Sequence, residues 1–287
     1  MFFCLASGAA FGAMAVFGKL AYAEGATVGT LLALRFLFAA GLFWAGNATS
    51  VAKGARPLKR QLSRRDACLA LGLGAGGYAV QAGLYFAALS RIDAGLLSLL
   101  VFTFPVIVAV AAVVLGRERL TPRRTSALAI ALGGTTLFVG STGAIDTLGV
   151  VLGLGAAVLY SAYILVSEGI AKRVRPQVLA ALVCTGAAVA LTVGSAVLGD
   201  LRLGELTAAG WGWLAALAAI STVGAIGLFF AGLARVGPTN ASILATAEPL
   251  VTVLLAFLVF SETLTQVQLG GGALVLAAAA TIGRMAT

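Results

Sequence analysis

Long apolar runs broken by short clusters of charge set the pattern of this chain. Uncharged stretches occupy residues 67–90, 94–116, 125–145, 147–167, 176–199, 206–234 and 263–283. A helix needs about 20 mostly apolar residues to cross a hydrocarbon core of ~30 Å, so each run can span a bilayer. Three further runs qualify with small allowances: residues 1–18 extended past Lys19 to Tyr22, residues 25–52 with Arg35 inside, and residues 236–261 with Glu248 inside. The pattern predicts an all-α integral membrane protein with ten transmembrane helices. No cation precedes Lys19. Because a secretory signal opens with basic residues, the first run is expected to be an uncleaved span.

The composition agrees and narrows the classes. Of 287 residues 61% are hydrophobic and only 10% charged, with a mean hydropathy of +1.06. An average soluble domain is about 25% charged, so a soluble enzyme is excluded. The net charge of +9 raises the question of nucleic acid, but that requires cations clustered on an exposed face, and most of this surface must meet lipid. No nucleic-acid partner is expected. Instead the cations mark orientation. Lys53, Arg56, Lys59, Arg60, Arg64 and Arg65 follow span 2; Arg117, Arg119, Arg123 and Arg124 follow span 4; Lys172, Arg173 and Arg175 follow span 6; Arg235 follows span 8 and Arg284 ends the chain. The opposite side holds only Lys19, Arg91 and Arg202. Cytoplasmic loops carry the excess of Lys and Arg, so both termini are expected in the cytoplasm.

The chain also repeats itself. Tyr85–Glu118 aligns with Phe229–Glu262 at a constant offset of 144, pairing Arg91 with Arg235, Ser98 with Ser242, Pro105 with Pro249, Glu118 with Glu262, and Leu120-Thr121 with Leu264-Thr265. A weaker match pairs Gly8-Ala9-Ala10 with Gly155-Ala156-Ala157. Two five-helix halves follow, residues 1–145 and 146–287. Five is odd, so the second half enters the membrane from the other side. Inverted repeats of this kind support alternating access around a site near the midplane.

These residues resemble the drug/metabolite transporter superfamily in its EamA-type ten-helix branch. Phe11-Gly12 followed by Phe17-Gly18-Lys19 is similar to the family's opening motif, with Phe11 where tryptophan is usual. Leu34-Arg35-Phe36 with Ala39-Ala40 resembles its second-helix motif. Ala88-Leu89, Pro105 and Gly116-Arg117-Glu118-Arg119-Leu120-Thr121 resemble the fourth helix, and Glu248-Pro249 with Ser261-Glu262-Thr263-Leu264-Thr265 resembles the ninth. The resemblance covers essentially the whole chain, and within the branch it is nearest to bacterial exporters of aromatic amino acids. It implies a multi-pass carrier of the cell inner membrane whose cavity is lined mainly by helices 1, 3, 4, 6, 8 and 9. It also implies a small-molecule substrate, an amino acid or similar metabolite, with lipid as the other partner; the oligomeric state is left open by the sequence, a monomer among the options.

Polar groups at membrane depth are costly and mark pathways by default. Tyr78, Gln81 and Tyr85 fall at i, i+3 and i+7 on one stripe of span 3, and span 6 contributes Tyr160 and Tyr163. Tyrosine offers an apolar face and a hydroxyl, which suits a cargo that is part aromatic and part polar; the competing reading is packing at the head-group belts. Trp213 starts span 8 either as an interfacial anchor or as a cavity wall. Thr222 is a small donor that equally bonds backbone one turn earlier, and Ser242, near the start of span 9, reads either as part of a gate or site or as polar glue between helices. Lys19 either meets a substrate carboxylate or snorkels to the surface, and Arg35 reads as a structural partner. Glu248, the lone acid well inside a span, is the candidate for proton coupling or gating; its counterpart at the repeat offset is Phe104. Its structural alternative is pairing with a cation or with backbone freed by Pro249.

With no histidine and with Cys4, Cys68 and Cys184 forming no CxxC pair, metal and intramembrane hydrolase chemistry lack their ligands and bases. No cofactor and no metal are expected. The glycines Gly72, Gly74, Gly76 and Gly77, and Gly270–Gly272, are read as close-packing surfaces rather than a nucleotide loop. Export of amino acids is the leading reading. An exchanger of nucleotide sugars or phosphate esters would want more deep cations than Lys19, and a channel would want rings of selectivity groups.

Overall fold

In the computed structural model, residues 1–52, 62–89, 91, 92, 100–117, 119, 121–139 and 146–260 are described, with single positions between 266 and 277. All regular structure among them is helical. Lys53, Arg56, Lys59, Arg60, Ser98, Glu118, Leu120, Glu262, the 261–265 motif, Gly272 and Arg284 lie outside the described residues, as does most of the tenth predicted span.

Six helical stretches are long and apolar enough to cross a membrane: Phe2–Ala23, Val28–Ala52, Arg64–Tyr85, Thr147–Ala171, Pro176–Val197 and Ala208–Val236. They coincide with six of the ten spans read from the sequence. Two more predicted spans correspond to the shorter apolar helix Phe104–Val114 and to the helix Pro122–Val139. A ninth corresponds to the pair Pro238–Ala245 and Glu248–Phe260.

In chain order the helices are α1 (Phe2–Gly12), α2 (Met14–Ala23), α3 (Val28–Ala52), α4 (Arg64–Gly72), α5 (Ala79–Leu89), α6 (Phe104–Val114), α7 (Pro122–Val139), α8 (Thr147–Ala171), α9 (Pro176–Val197), α10 (Ala208–Ala218), α11 (Ala225–Val236), α12 (Pro238–Ala245) and α13 (Glu248–Phe260). Local chemistry starts several of them. Ser63, Asp146 and Thr207 cap α4, α8 and α10 by accepting the N–H groups of Asp66, Gly149 and Gly210 at 3.0, 2.9 and 3.1 Å. At the α11–α12 corner Gly237 takes φ +79, and Pro238 restarts the helix with its φ already set.

The defects come in matching pairs. A π-helical turn joins α4 to α5 at Leu73–Tyr78, and another joins α10 to α11 at Ala219–Gly224. Likewise α6 begins at Phe104-Pro105 after a turn at Phe102-Thr103, and α13 begins at Glu248-Pro249 after a break at Thr246-Ala247. Proline has no N–H to give and tolerates only the first turn, which explains both restarts. Span 1 breaks too, at Ala13.

Packing runs across the two halves. Helix α3 lies along α9, α5 along α8, α2 along α10, and α1 against α11 and α13. Small residues permit the closest approaches. A Cβ on Gly74 would collide with the Val183 carbonyl and one on Gly186 with the Leu71 carbonyl, so the π turn and α9 meet backbone to backbone. Large side chains such as Phe36, Phe104, Phe230, Ile164 and Leu179 fill the interior, while Val80, Val110, Val158, Val193 and Leu258 stand outward, as a lipid-facing surface requires.

The helix ends sort into two faces. On one, Arg173 meets Asp66 at 2.7 Å, Arg117 meets Glu168 at 3.4 Å, and Arg235 lies 4.7 Å over the Phe3 ring. On the other, Arg91 meets Asp146 at 3.6 Å, Thr207 donates to Glu24, and the Asp200 carboxylate accepts the Gly29 N–H at 2.6 Å. Each contact joins ends that strict alternation of the spans assigns to the same side.

Candidate transport site

Five aromatic rings meet where α3, the first π turn, α6 and α8 converge. Tyr78 closes that turn and sets its ring edge-on to Phe36 at 5.1 Å and to Tyr163 at 5.6 Å. Tyr160 stacks on Tyr163 at 6.0 Å and meets Phe104 edge-on at 4.8 Å. The local sequence makes room for them: Gly77 has no side chain, and a Cβ there would lie 3.5 Å from the Tyr163 ring. Such offset and edge-on pairs satisfy the ring quadrupoles and hold the rings in fixed geometry. Tyr163 is buried, whereas Tyr78 and Tyr160 keep part of their surface accessible.

The stripe expected on span 3 is divided by the π turn. Tyr78 joins the aromatic cluster, Gln81 is half-buried one turn further along α5, and Tyr85 packs in a second cluster with Ala88, Ile92 and Leu152. Trp213 is half-buried and stacks on Phe17 of α2 at 6.3 Å, near the face where α10 begins. Lys19, also on α2, is exposed. Ser242 is fully buried, and its hydroxyl donates to the Thr239 carbonyl of its own helix at 2.8 Å.

Thr222 has a more consequential position. It lies in the second π turn, fully buried, and donates to the Leu217 carbonyl five residues back at 3.1 Å. Its oxygen then accepts the Arg35 Nε–H at 2.8 Å, while Arg35 Nη1 donates to the Met14 sulfur at 2.8 Å. Arg35 is only 4% exposed. The structural role read for it from sequence therefore has named partners, but those partners do not satisfy it. Its guanidinium also approaches the Tyr78 hydroxyl, yet among the described residues Nη2 has no hydrogen-bond partner.

Glu248 is the first residue of α13 and half-buried. It stands where a negative charge is favoured by the helix dipole. Its backbone packs against α1, where a Cβ on Gly12 would lie 2.9 Å from the Glu248 carbonyl oxygen; Thr252 bonds both that carbonyl, at 3.2 Å, and the Gly12 carbonyl, at 3.1 Å. The carboxylate lies within electrostatic reach of Arg35 and of the Tyr78, Tyr85 and Tyr160 phenols. Sequence reasoning missed Met14, Phe36 and Phe104, which carry no polar signal apart from the Pro105 that follows Phe104. A crevice of about 560 Å³ between α3, α9 and α11, bordered by Arg175 and Arg235, contains none of the predicted site residues.

The chain has relatives. The EamA-like transporter family matches residues 1–140 and 147–284, once over each half. An uncharacterized transporter of Archaeoglobus fulgidus is 30% identical over 218 residues, covering 76% of this chain and 77% of the relative. A protein crystal structure superposes with a TM-score of 0.84 over 99% of this chain and 97% of its own, at 20% identity, which is a likeness of fold. With two family matches that together span nearly the whole sequence, the chain belongs to the EamA-like transporter family.

Proposed function

We propose that this transporter is a secondary carrier of amino acids, aromatic or otherwise amphiphilic, that exports them across the cell inner membrane by alternating access. In this reading the chain forms ten spans in two inverted halves, residues 1–145 and 146–287, with both termini in the cytoplasm. The paired π turns and the paired proline restarts support it. Interrupted helices at corresponding positions of two halves are the usual surroundings of a carrier's binding site, and cross-half packing lets the halves rock about that site.

The observation that carries the reading is the ring cluster of Tyr78, Tyr160, Tyr163, Phe36 and Phe104 beside the buried Arg35 and the half-buried Glu248. Phenol faces stack against an apolar or aromatic side chain, and their hydroxyls accept or donate to its polar end. Gln81 stands one turn from Tyr78 to add an amide. Tyr85, Trp213, Thr222, Ser242 and Lys19 complete the proposed set, with Glu248 as the coupling or gating group. The test is reconstitution into liposomes with a panel of labelled amino acids, repeated for Tyr78→Ala and Gln81→Ala. Saturable flux of at least one amino acid, weakened by both variants, is expected; flux of none of them would refute the substrate class.

A further inference from the structure

We propose that Arg35 and Glu248 form a two-ended clamp for a zwitterion, Arg35 Nη2 taking the α-carboxylate of an amino acid and Glu248 its α-ammonium. The proposal rests on the amino-acid reading above and gives it a recognition chemistry.

Opposite charges buried together ordinarily close on each other, because each is costly alone. Here they do not. Among the described residues Glu248 has no side-chain hydrogen bond or ion pair, although it lies in the field of Arg35. Among the described residues Arg35 spends Nε on Thr222 and Nη1 on Met14 but finds no partner for Nη2, at 4% exposure. An orphaned guanidinium nitrogen at that depth is a standing cost that a carboxylate oxygen would remove.

The fold fixes the Arg35 guanidinium and the turn that carries Glu248. Both flank the break in span 1: Gly12, before it, packs on the Glu248 backbone, and Met14, after it, holds Arg35. Thr222 fixes Arg35 from the π turn of the second half, and Thr252 ties the Glu248 turn to the Gly12 carbonyl. Arg35 cannot swing toward Glu248 without breaking its bonds to Thr222 and Met14, and the turn that carries Glu248 is held on α1. The phenol of Tyr78 feels both charges and stands at the edge of the aromatic cluster. A molecule bridging the charges would therefore lay its side chain against the rings. The repeat makes the asymmetry plain, since the site of Glu248 is occupied by Phe104 in the first half, where it packs on Tyr160.

The experiment uses the full chain in liposomes, with labelled phenylalanine as the probe and phenylalanine, phenethylamine or 3-phenylpropanoate as competitors. The clamp predicts that the wild-type protein prefers phenylalanine to either analogue by at least about tenfold, the worth of one charge-assisted hydrogen bond. Arg35→Gln should erase the preference over phenethylamine, and Glu248→Gln the preference over 3-phenylpropanoate. Arg35→Lys, which keeps the charge, guards against misfolding and should retain part of the preference. The clamp is overturned if wild type carries phenylalanine saturably but accepts either analogue equally well, or if the glutamine variants weaken all three ligands alike; the amino-acid reading survives both results. Absence of any saturable amino-acid flux in wild type overturns that reading and the clamp with it.

Discussion

Arg35 Nε donates to Thr222 Oγ1 at 2.8 Å, and through that one bond the second span is fastened to the π turn of the eighth. The same hydroxyl donates to the Leu217 carbonyl, so the π turn orients the acceptor that orients the cation. Thr222→Val keeps the shape and strands Nε in the interior. Leaving a buried donor unpaired costs about 1–3 kcal/mol, and more when it is charged, so Thr222→Val should lower the thermal stability of the detergent-solubilised protein while Thr222→Ser restores it. Equal stability for valine and threonine would show that the bond does not matter.

Gly12 sets how closely α1 approaches α13. A Cβ there would fall 2.7 Å from Val251 Cβ and 2.9 Å from the Glu248 carbonyl oxygen. Gly12→Ala is therefore expected to lower both stability and transport. On α3 nothing lies within 4 Å of a Cβ at Gly41, and Gly41→Ala should be neutral or stabilising, by up to about 1 kcal/mol of helix propensity. Parallel melting curves for the two variants decide it.

Tyr78 tests the ring cluster. Tyr78→Phe keeps the edge-on contacts with Phe36 and Tyr163, whereas Tyr78→Ala removes both. Each aromatic pair is worth about 0.5–1.5 kcal/mol, so the alanine variant should raise the apparent KM for an aromatic amino acid by about tenfold and the phenylalanine variant by much less. An unchanged KM in Tyr78→Ala would remove the rings from the site.

Asp146 gives a pH-dependent signature outside the membrane. The N–H of Gly149, with Arg91 nearby, holds its carboxyl below the usual carboxylate range. A carboxyl lowered in the folded state stabilises above its unfolded value of 3.8 and loses that contribution as pH falls through the lower folded value. Asp146→Asn keeps a cap but cannot titrate. Melting temperatures between about pH 6 and pH 3 should fall more steeply for wild type than for Asp146→Asn; curves that stay parallel would contradict the cap.

If Glu248 couples transport to protons, a proton and a substrate ammonium exclude each other at its carboxylate. Among the described residues Arg35, Tyr78, Tyr85 and Tyr160 are the titratable or charged groups within its electrostatic reach. Glu248→Gln should flatten the pH dependence of flux in vesicles, and an unaltered profile would place coupling elsewhere.

Much of the framework was legible in the residues because the bilayer imposes a simple code. Length and apolarity located the six long helices, and the constant offset of 144 paired Pro105 with Pro249 before any coordinate was known. What remained illegible is where a helix departs from ideal geometry. The π turns at Leu73–Tyr78 and Ala219–Gly224 leave no hydrophobic signature, yet they separate Tyr78 from Tyr85 and deliver Thr222 to Arg35. From sequence Arg35 reads as a structural partner without a named mate, because spacing along a helix says which face a residue occupies and nothing about which distant helix covers that face. The orphaned Nη2 is visible only once α3, α2 and the second π turn are assembled.

The most direct test of the carrier reading is counterflow in proteoliposomes loaded with an excess of unlabelled amino acid. Transient accumulation of the labelled amino acid above its external concentration, saturating with substrate and lost in Tyr78→Ala, is the result expected of a site open to one side at a time. Label that only equilibrates without overshoot, or unitary currents across a planar bilayer, would contradict it.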